Sequence, residues 1–175
     1  MYIIPHTQEM ITRAIQKAKM LGTLNNSITQ GQGNLAGYLG EEAVASYLKA
    51  KIVSSDEGTN KFNHELILLD GSRAEVKSKR RTVPPRDFYE VSVAKSSLHQ
   101  KPDLYMFVSL QFNKTEKKNG IVRYKELQAV WLLGQKDYKD YIEQAAFTQF
   151  EGKIYFVPAN TMFNMYIRDL DEVLK

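Results

Sequence analysis

The chain has 175 residues, 43% of them hydrophobic and 25% charged, which is typical of one soluble globular domain spanning residues 1–175. It contains no cysteine, which excludes disulfides, zinc–thiolate centres and thiol nucleophiles. The net charge of +4 permits a polyanionic partner without requiring one. No apolar run approaches the roughly 20 residues that span a bilayer, and no secretory signal is recognisable. We therefore expect a cytoplasmic protein with no membrane partner.

Two helices are predicted in the first third of the chain. Residues 8–21 carry apolar side chains at helical spacing, between a suitable N-cap at Thr7 and a stop signal at Gly22. Polar residues and glycines over 23–33 predict a loop. A second helix is predicted from about 34 to 51.

The two adjacent acidic residues of the second helix are expected to differ in direction. Glu41 borders the apolar arc of this helix, so its carboxylate is the one predicted to reach the sheet. Glu42 is expected to face solvent together with Lys49.

Strand patterns follow the second helix. Two strands are predicted around the turn signal Asp70-Gly71, and the strand at 103–112 is expected to lie in the centre of the sheet. In chain order, the predicted elements are strands at 62–69, 73–79 and 88–94, a short helix or turn at 95–101, the strand at 103–112, a charged loop at 114–119, a strand at 127–133 ended by Gly134, a helix at 137–146, a strand at 153–157 and a helical tail at 161–174. This order predicts an α/β (α+β) fold built on one mixed sheet flanked by helices.

The predicted strand at 73–79 carries a candidate catalytic pair. Side chains alternate along a strand, so Glu75 and Lys77 project from one face, roughly 6–7 Å apart. A carboxylate can bind Mg²⁺, and a neighbouring ammonium can contact the attacking water or a phosphate. An isolated E-x-K is common and is more often a solvated strand face. The surrounding residues therefore decide between these interpretations.

The length of the preceding turn bears on this question. A two-residue loop at Asp70-Gly71 would put Glu65 on the face away from Glu75. A three-residue loop over 69–71, with Gly71 in the left-handed conformation, would set Glu65 directly opposite Glu75. Two facing carboxylates repel unless a cation lies between them. A metal site therefore predicts an odd-length loop.

The stretches GNLAGYLGEEAVASYL and HELILLDGSRAEVKSKRR resemble the PD-(D/E)xK nuclease superfamily, which includes restriction endonucleases and archaeal-type Holliday junction resolvases. In that family, a helix with a Gly-Glu pair precedes a strand with an acidic residue and then a strand with (D/E)-x-K. The corresponding residues here are Gly40-Glu41, Glu65 and Glu75-Val76-Lys77. The family usually has Asp on the first strand, so Glu65 is a departure. Asp70 is a rival candidate, although Asp-Gly suits the turn.

The resemblance implies a restriction-endonuclease-like fold and a role for each matched residue. Glu41, Glu65, Glu75 and the carbonyl of Val76 would bind Mg²⁺ or Mn²⁺, and Lys77 would position the water or stabilise the transition state. The residues that would hold the DNA backbone form a basic cluster beside the motif: Lys79, Arg80, Arg81 and Arg86.

These observations predict a Mg²⁺-dependent deoxyribonuclease, with endonuclease activity favoured over exonuclease activity. The alternatives are a dimeric Holliday junction resolvase of the same fold and a non-catalytic nucleic-acid-binding protein that retains it. A homodimer is compatible with either catalytic interpretation. The small size suits a protein encoded by a phage or mobile element. The sequence leaves open whether the substrate is duplex, single-stranded or branched DNA, or RNA.

Overall fold

The computed structural model describes residues 1–21, 32–53, 66–118, 121–149 and 161–173. The helices in these ranges are α1 (Gln8–Leu21), α2 (Gln32–Leu48) and α3 (Tyr138–Gln144). The strands are β1 (Tyr2–Ile4), β2 (Lys51–Ile52), β3 (Leu66–Ile67), β4 (Arg73–Arg81), β5 (Glu90–Ala94), β6 (Leu104–Lys118), β7 (Ile121–Asp137), β8 (Ala146–Gln149) and β9 (Thr161–Tyr166). Two short 3-10 helices cover Lys95–Gln100 and Ile167–Asp169. No helix of the described residues is long and apolar enough to cross a bilayer.

The strands form two sheets. Six strands make a mixed sheet in the order β1-β7-β6-β4-β3-β2, in which β4 and β6 run parallel and the other neighbours run antiparallel. The other three strands make an antiparallel sheet in the order β5-β9-β8. The predicted mixed α/β (α+β) class is therefore confirmed. The predicted place of the 103–112 strand is confirmed too, since β6 lies between β7 and β4.

Each face of the six-stranded sheet has its own hydrophobic core. On one face, Ala74, Val76, Met106 and Val108 pack with apolar residues of α1 and α2 such as Ala14. On the other face, Tyr105 and Phe107 pack with residues of β5, β9 and α3. The sequence predicted one mixed sheet flanked by helices, whereas the second face of the six-stranded sheet is covered by a second, small sheet and one short helix. Between these layers, β4 is buried from Ala74 to Val76 and partly buried from Lys77 to Arg81.

Three of the four predicted ends of the first two helices agree with the structure: both ends of α1 and the start of α2. Thr7 Oγ1 accepts a hydrogen bond from the Met10 N–H at 3.2 Å, which is the expected N-cap. Helix α1 begins at Gln8 as predicted, and α2 begins at Gln32, close to the predicted start. Helix α2 ends at Leu48, earlier than predicted, because Lys49 is left-handed with φ 55° and the Ala50 N–H donates to Ala45 at 2.9 Å.

The prediction that Glu42 faces solvent is wrong. Glu42 is 5% exposed and accepts hydrogen bonds from α1, with Arg13 Nε at 2.8 Å and Lys17 Nζ at 2.9 Å from its two oxygens. Burial opposes ionisation of this carboxyl, but the two cationic partners outweigh burial and lower its pKa. Periodicity within α2 could not reveal this, because the partners come from a neighbouring helix.

The turn before β4 has the odd length that the metal-site hypothesis requires. Leu66 lies opposite Ala74 and Ile67 opposite Arg73, and the Leu68 N–H donates to the Ser72 carbonyl at 2.9 Å. Residues 69–71 therefore form a three-residue loop, and Gly71 has a φ of 87°. The structure thus has the three-residue alternative, which the metal-site hypothesis predicted, and not the two-residue loop. Glu65, which precedes Leu66, lies outside the described residues.

The hairpin of β6 and β7 corrects two sequence predictions. The charged segment over 114–118 continues strand β6, where a loop was predicted, because its charges pair across the hairpin: Glu116 with Lys125 at 2.7 Å, and Lys114 with Glu126. Gly134 does not end β7, which continues to Asp137. A Cβ at Gly134 would lie 2.7 Å from Leu170 Cβ and 2.8 Å from the Asp171 carbonyl oxygen. Close approach of the C-terminal segment, and not a strand end, accounts for this glycine.

The C-terminal segment is extended, and the predicted helical tail is wrong. Residues 161–166 form β9, which pairs with both β5 and β8. Met165 enters the second core, so pairing with two neighbouring strands overrides the helical spacing of the apolar residues. The predicted strand at 153–157 lies outside the described residues. The short elements near 95–101 and 137–146 are confirmed by the 3-10 helix and by α3, which Asp137 caps.

Candidate active site

Strand β4 divides the candidate site residues between its two faces. Ala74 and Val76 belong to the core beneath α1 and α2. Alternation along the strand directs Glu75, Lys77 and Lys79 to the opposite face, which is turned toward β5 and the 3-10 helix Lys95–Gln100. The E-x-K pair therefore lies on the side of the sheet that the small sheet partly covers.

Glu75 and Lys77 form a direct ion pair. Lys77 Nζ lies 2.6 Å from Glu75 Oε1 and donates a second hydrogen bond to Gln100 Oε1 at 3.3 Å. Glu75 is 1% exposed, and its Oε2 has no hydrogen-bond partner among the described residues. A buried carboxylate oxygen without a partner is costly, so a bound cation or a donor at this position would stabilise it.

Tyr105, on the strand next to Glu75, supplies a second unsatisfied polar atom. The two residues face each other in the parallel pairing of β4 and β6, and the Tyr105 hydroxyl is buried without a hydrogen-bond partner in the described part of the chain. Burial raises the pKa of Tyr105, with smaller contributions in the same direction from Tyr138 and Glu75. The hydroxyl therefore keeps its proton at neutral pH and remains a hydrogen-bond donor.

Lys79 and Arg81 extend the positive charge along the same face. Lys79 Nζ donates to the Glu90 carbonyl at 2.9 Å and to Ser92 Oγ at 2.8 Å. Arg81 donates to the same Glu90 carbonyl at 3.1 Å. Burial lowers the pKa of Lys79, Arg81 adds to this effect, and Glu90 opposes it. The hydrogen-bond acceptors of these two partly buried cations are neutral, so neither forms an ion pair with a described carboxylate.

The four residues predicted to hold DNA do not share one surface. Arg80 lies on the other face of β4 from Arg81, with its guanidinium 4.8 Å from the centre of the Tyr124 ring. Arg86 is exposed in the segment after β4, 5.9 Å from the Phe88 ring. Lys79 and Arg81 are thus the members of this group that lie on the face of Glu75.

Glu41 lies on the helix that contacts the opposite face of β4. A Cβ at the preceding residue, Gly40, would stand 2.0 Å from Ser78 Oγ, so α2 and β4 meet closely there. Glu41 is 7% exposed, and its Oε1 lies 3.9 Å from the Cβ position of Gly37, one turn back on α2. Within the described ranges, no three His, Asp or Glu side chains form a group that could hold a metal ion.

The remaining acidic candidates are Asp70 and Glu65. Asp70 has a structural role, since its Oδ1 accepts the Ser72 N–H at 2.8 Å and this backbone hydrogen bond lowers its pKa. Glu65 lies outside the described residues. Val76, the residue between Glu75 and Lys77, is 3% exposed and packs its side chain beneath α2.

Two residues of the site were not predicted from the sequence. Gln100 contacts Lys77 across 23 residues of chain, a separation that no local pattern reveals. Tyr105 was assigned to packing, because its alternation with Phe107 along the strand gives no sign that its hydroxyl belongs to the site.

No protein-family model matches the chain, and no curated protein matches it. Function is therefore inferred from the residues of this site.

Proposed function

We propose that the protein is a metal-dependent nuclease that hydrolyses phosphodiester bonds of DNA, with Glu75 and Lys77 at the centre of its active site. The observation that carries this proposal is the buried carboxylate of Glu75, with Lys77 on Oε1 at 2.6 Å and no described partner on Oε2. A divalent cation would complement that oxygen. The chain order also supports the proposal, because α2 with Gly40-Glu41 precedes the β3–β4 hairpin, as in the nuclease family.

Each group on this face has a separate role in the proposed reaction. Mg²⁺ or Mn²⁺, when bound at Glu75, supplies an activated water and neutralises charge on the phosphate. Lys77, oriented by Glu75 and Gln100, stabilises the anionic transition state or holds the attacking water. Lys79 and Arg81 contribute positive charge to the binding of the DNA backbone.

The family resemblance adds three further metal ligands to this proposal: Glu41, Glu65 and the carbonyl of Val76. All three remain predictions. Glu41→Gln and Glu65→Gln proteins, assayed beside the central variants, test the two side chains. Loss of cleavage in either variant, with retained folding, would add that residue to the metal site.

The central experiment measures cleavage of supercoiled plasmid and of linear single-stranded DNA with Mg²⁺ or Mn²⁺. Glu75→Gln and Lys77→Met should each reduce the cleavage rate by about 100-fold or more, because each removes a group that acts in the transition state. The matched control is the exposed pair Glu116 and Lys125, whose charged atoms are 2.7 Å apart. Glu116→Gln and Lys125→Met should cleave as the wild type does.

Folding must be checked separately, since either single variant leaves a buried charge without its partner. The double variant Glu75→Gln, Lys77→Met removes both charges, and its thermal unfolding shows whether the site region still folds. Cleavage retained in both folded variants would refute the proposal. Absence of cleavage by the wild type, with DNA binding retained, would identify a non-catalytic binding protein. Cleavage confined to four-way junctions by a dimer would identify a resolvase.

A further inference from the structure

Two neighbouring aromatic rings with an arginine at each end lie where β4 ends. The Arg81 guanidinium lies 4.6 Å from the centre of the Tyr89 ring, and Tyr89 meets Phe88 edge-to-face with ring centres 5.1 Å apart. Arg86 lies 5.9 Å from the Phe88 ring. We call Arg81, Tyr89, Phe88 and Arg86 the aromatic–cation row. It continues the face that carries Glu75, because Arg81 and Glu75 stand on the same side of β4.

The row combines an exposed ring and an exposed arginine, Phe88 and Arg86, with the partly buried Arg81 and Tyr89. Phe88 is 55% exposed, and the core packing of the described residues does not include it. Neither Arg81 nor Arg86 forms an ion pair with a described carboxylate, although Asp87 and Glu90 are close in sequence. Arg81 instead donates to a backbone carbonyl. An anionic ligand with flat apolar groups would match both properties of this surface.

Single-stranded nucleic acid has this combination of properties. Its phosphates pair with guanidinium groups, and its unpaired bases stack on exposed rings and on arginine. In a duplex, the bases stack on one another and cannot reach Phe88, so only the phosphate contacts remain. Glu75 and Arg81 are six positions apart on β4, roughly 20 Å, a distance that a short stretch of extended single strand can span.

We propose that the aromatic–cation row binds unpaired nucleotides of single-stranded DNA and directs that strand toward Glu75 and Lys77. Phe88 provides the stacking surface, and Arg81 and Arg86 bind the flanking phosphates. The cleaved substrate is then single-stranded DNA or DNA with a single-stranded segment. This last statement rests on the proposed nuclease function, whereas the binding itself does not.

The test is fluorescence anisotropy with a labelled thymidine oligonucleotide and a duplex of equal length, in EDTA so that no cleavage occurs. Phe88→Ala should weaken binding of the single strand by about 5- to 100-fold and leave duplex binding nearly unchanged. Phe88→Trp should restore single-strand binding, because it keeps an aromatic face. Arg86→Ala should weaken the binding of both ligands and reduce by about 1 the slope of log affinity against log salt concentration.

The matched control is Tyr124→Leu. The Tyr124 ring lies 4.8 Å from the Arg80 guanidinium, so this substitution removes a comparable cation–ring contact on the other face of β4. This variant should bind single strands as the wild type does. Equal weakening of single strand and duplex by Phe88→Ala, or no effect in a folded protein, would overturn the proposal.

The two proposals fail in different ways. If Phe88→Ala selectively loses single-strand binding and the wild type shows no metal-dependent cleavage, the proposed binding role of the aromatic–cation row stands and the proposed nuclease function is refuted. If cleavage requires Glu75 and Lys77 but Phe88→Ala changes neither its rate nor its strand preference, the proposed nuclease function stands and the proposed role of the aromatic–cation row is refuted.

Discussion

Single polar atoms define the candidate site. Glu75 is a charged side chain in a buried position, and its ion pair with Lys77 satisfies one of its oxygens. The other oxygen and the Tyr105 hydroxyl lie on neighbouring strands at the same register position, each without a described partner. Such atoms are uncommon in folded proteins and mark places where a ligand, ion or water completes the structure. Neither atom could be recognised from residue types alone.

Replacement of Tyr105 by phenylalanine tests this view of the site. Tyr105→Phe removes a buried hydroxyl that has no described hydrogen bond, so we expect the free energy of unfolding to rise by about 1 kcal/mol in metal-free protein. Urea unfolding in EDTA measures the change. A loss of stability would show that the hydroxyl forms a hydrogen bond, for example with a bound water, and would contradict its assignment as an unsatisfied atom.

Helix α2 and strand β4 are the elements that position the candidate site. Their contact is closest at Gly40, where no side chain separates the helix from Ser78. The odd-length turn before β4 sets the pairing of Leu66 with Ala74 and thereby the direction of every side chain in the strand. A one-residue change in that turn would exchange the two faces of β3 relative to β4. The placement of Glu75 toward the second sheet is thus a property of these elements together.

The closeness of this contact leads to a prediction for Gly40→Ala. The new Cβ would stand 2.0 Å from Ser78 Oγ, so we expect a loss of about 1–3 kcal/mol despite the better helix propensity of alanine. Adding Ser78→Ala should recover part of this loss, because it removes the nearest atom. Urea unfolding of the two single variants and the double variant measures the coupling. Additive effects would contradict a direct contact.

The whole molecule is organised by two cores on opposite faces of one sheet. Helices α1 and α2 are joined not only by apolar packing but also by the buried carboxylate of Glu42 with Arg13 and Lys17. The second core holds the small sheet, whose β5 supplies the partners of Lys79. The site face therefore depends on residues distant in sequence, and its stability depends on the packing of both layers.

Global stability should depend on the ionisation of Glu42. Its pKa is lowered from the ordinary value of 4.5, so its contribution is fully present above that value and is lost as the pH falls through the folded pKa. Urea unfolding at a series of pH values below about 5 should show a fall in the free energy of unfolding that is larger for the wild type than for Glu42→Gln. Identical pH dependence of both proteins would contradict this assignment.

Local patterns were sufficient for much of the first half of the chain. The Thr7 cap, the start of α1, the turn at Asp70-Gly71 and the common face of Glu75 and Lys77 follow from residue spacing, because each depends on residues a few positions apart. The length of that turn was left open by the spacing and was predicted only by the metal-site hypothesis. In the second half, local patterns located the 103–112 strand and α3, but they missed the full length of the β6–β7 hairpin and predicted a helix in place of β9. The β6–β7 hairpin and β9 are stabilised by pairing with other strands, which periodicity does not encode.

The sequence by itself determined the type of chemistry available: an E-x-K pair on one strand face, a basic cluster after it and no thiol. The tertiary structure decided which of these residues meet. It buried Glu42 against α1 and brought Gln100 and Tyr105 to the E-x-K pair. The physical reason is that alternation along one strand follows from local geometry. Burial and partnership depend on which distant elements cover each face.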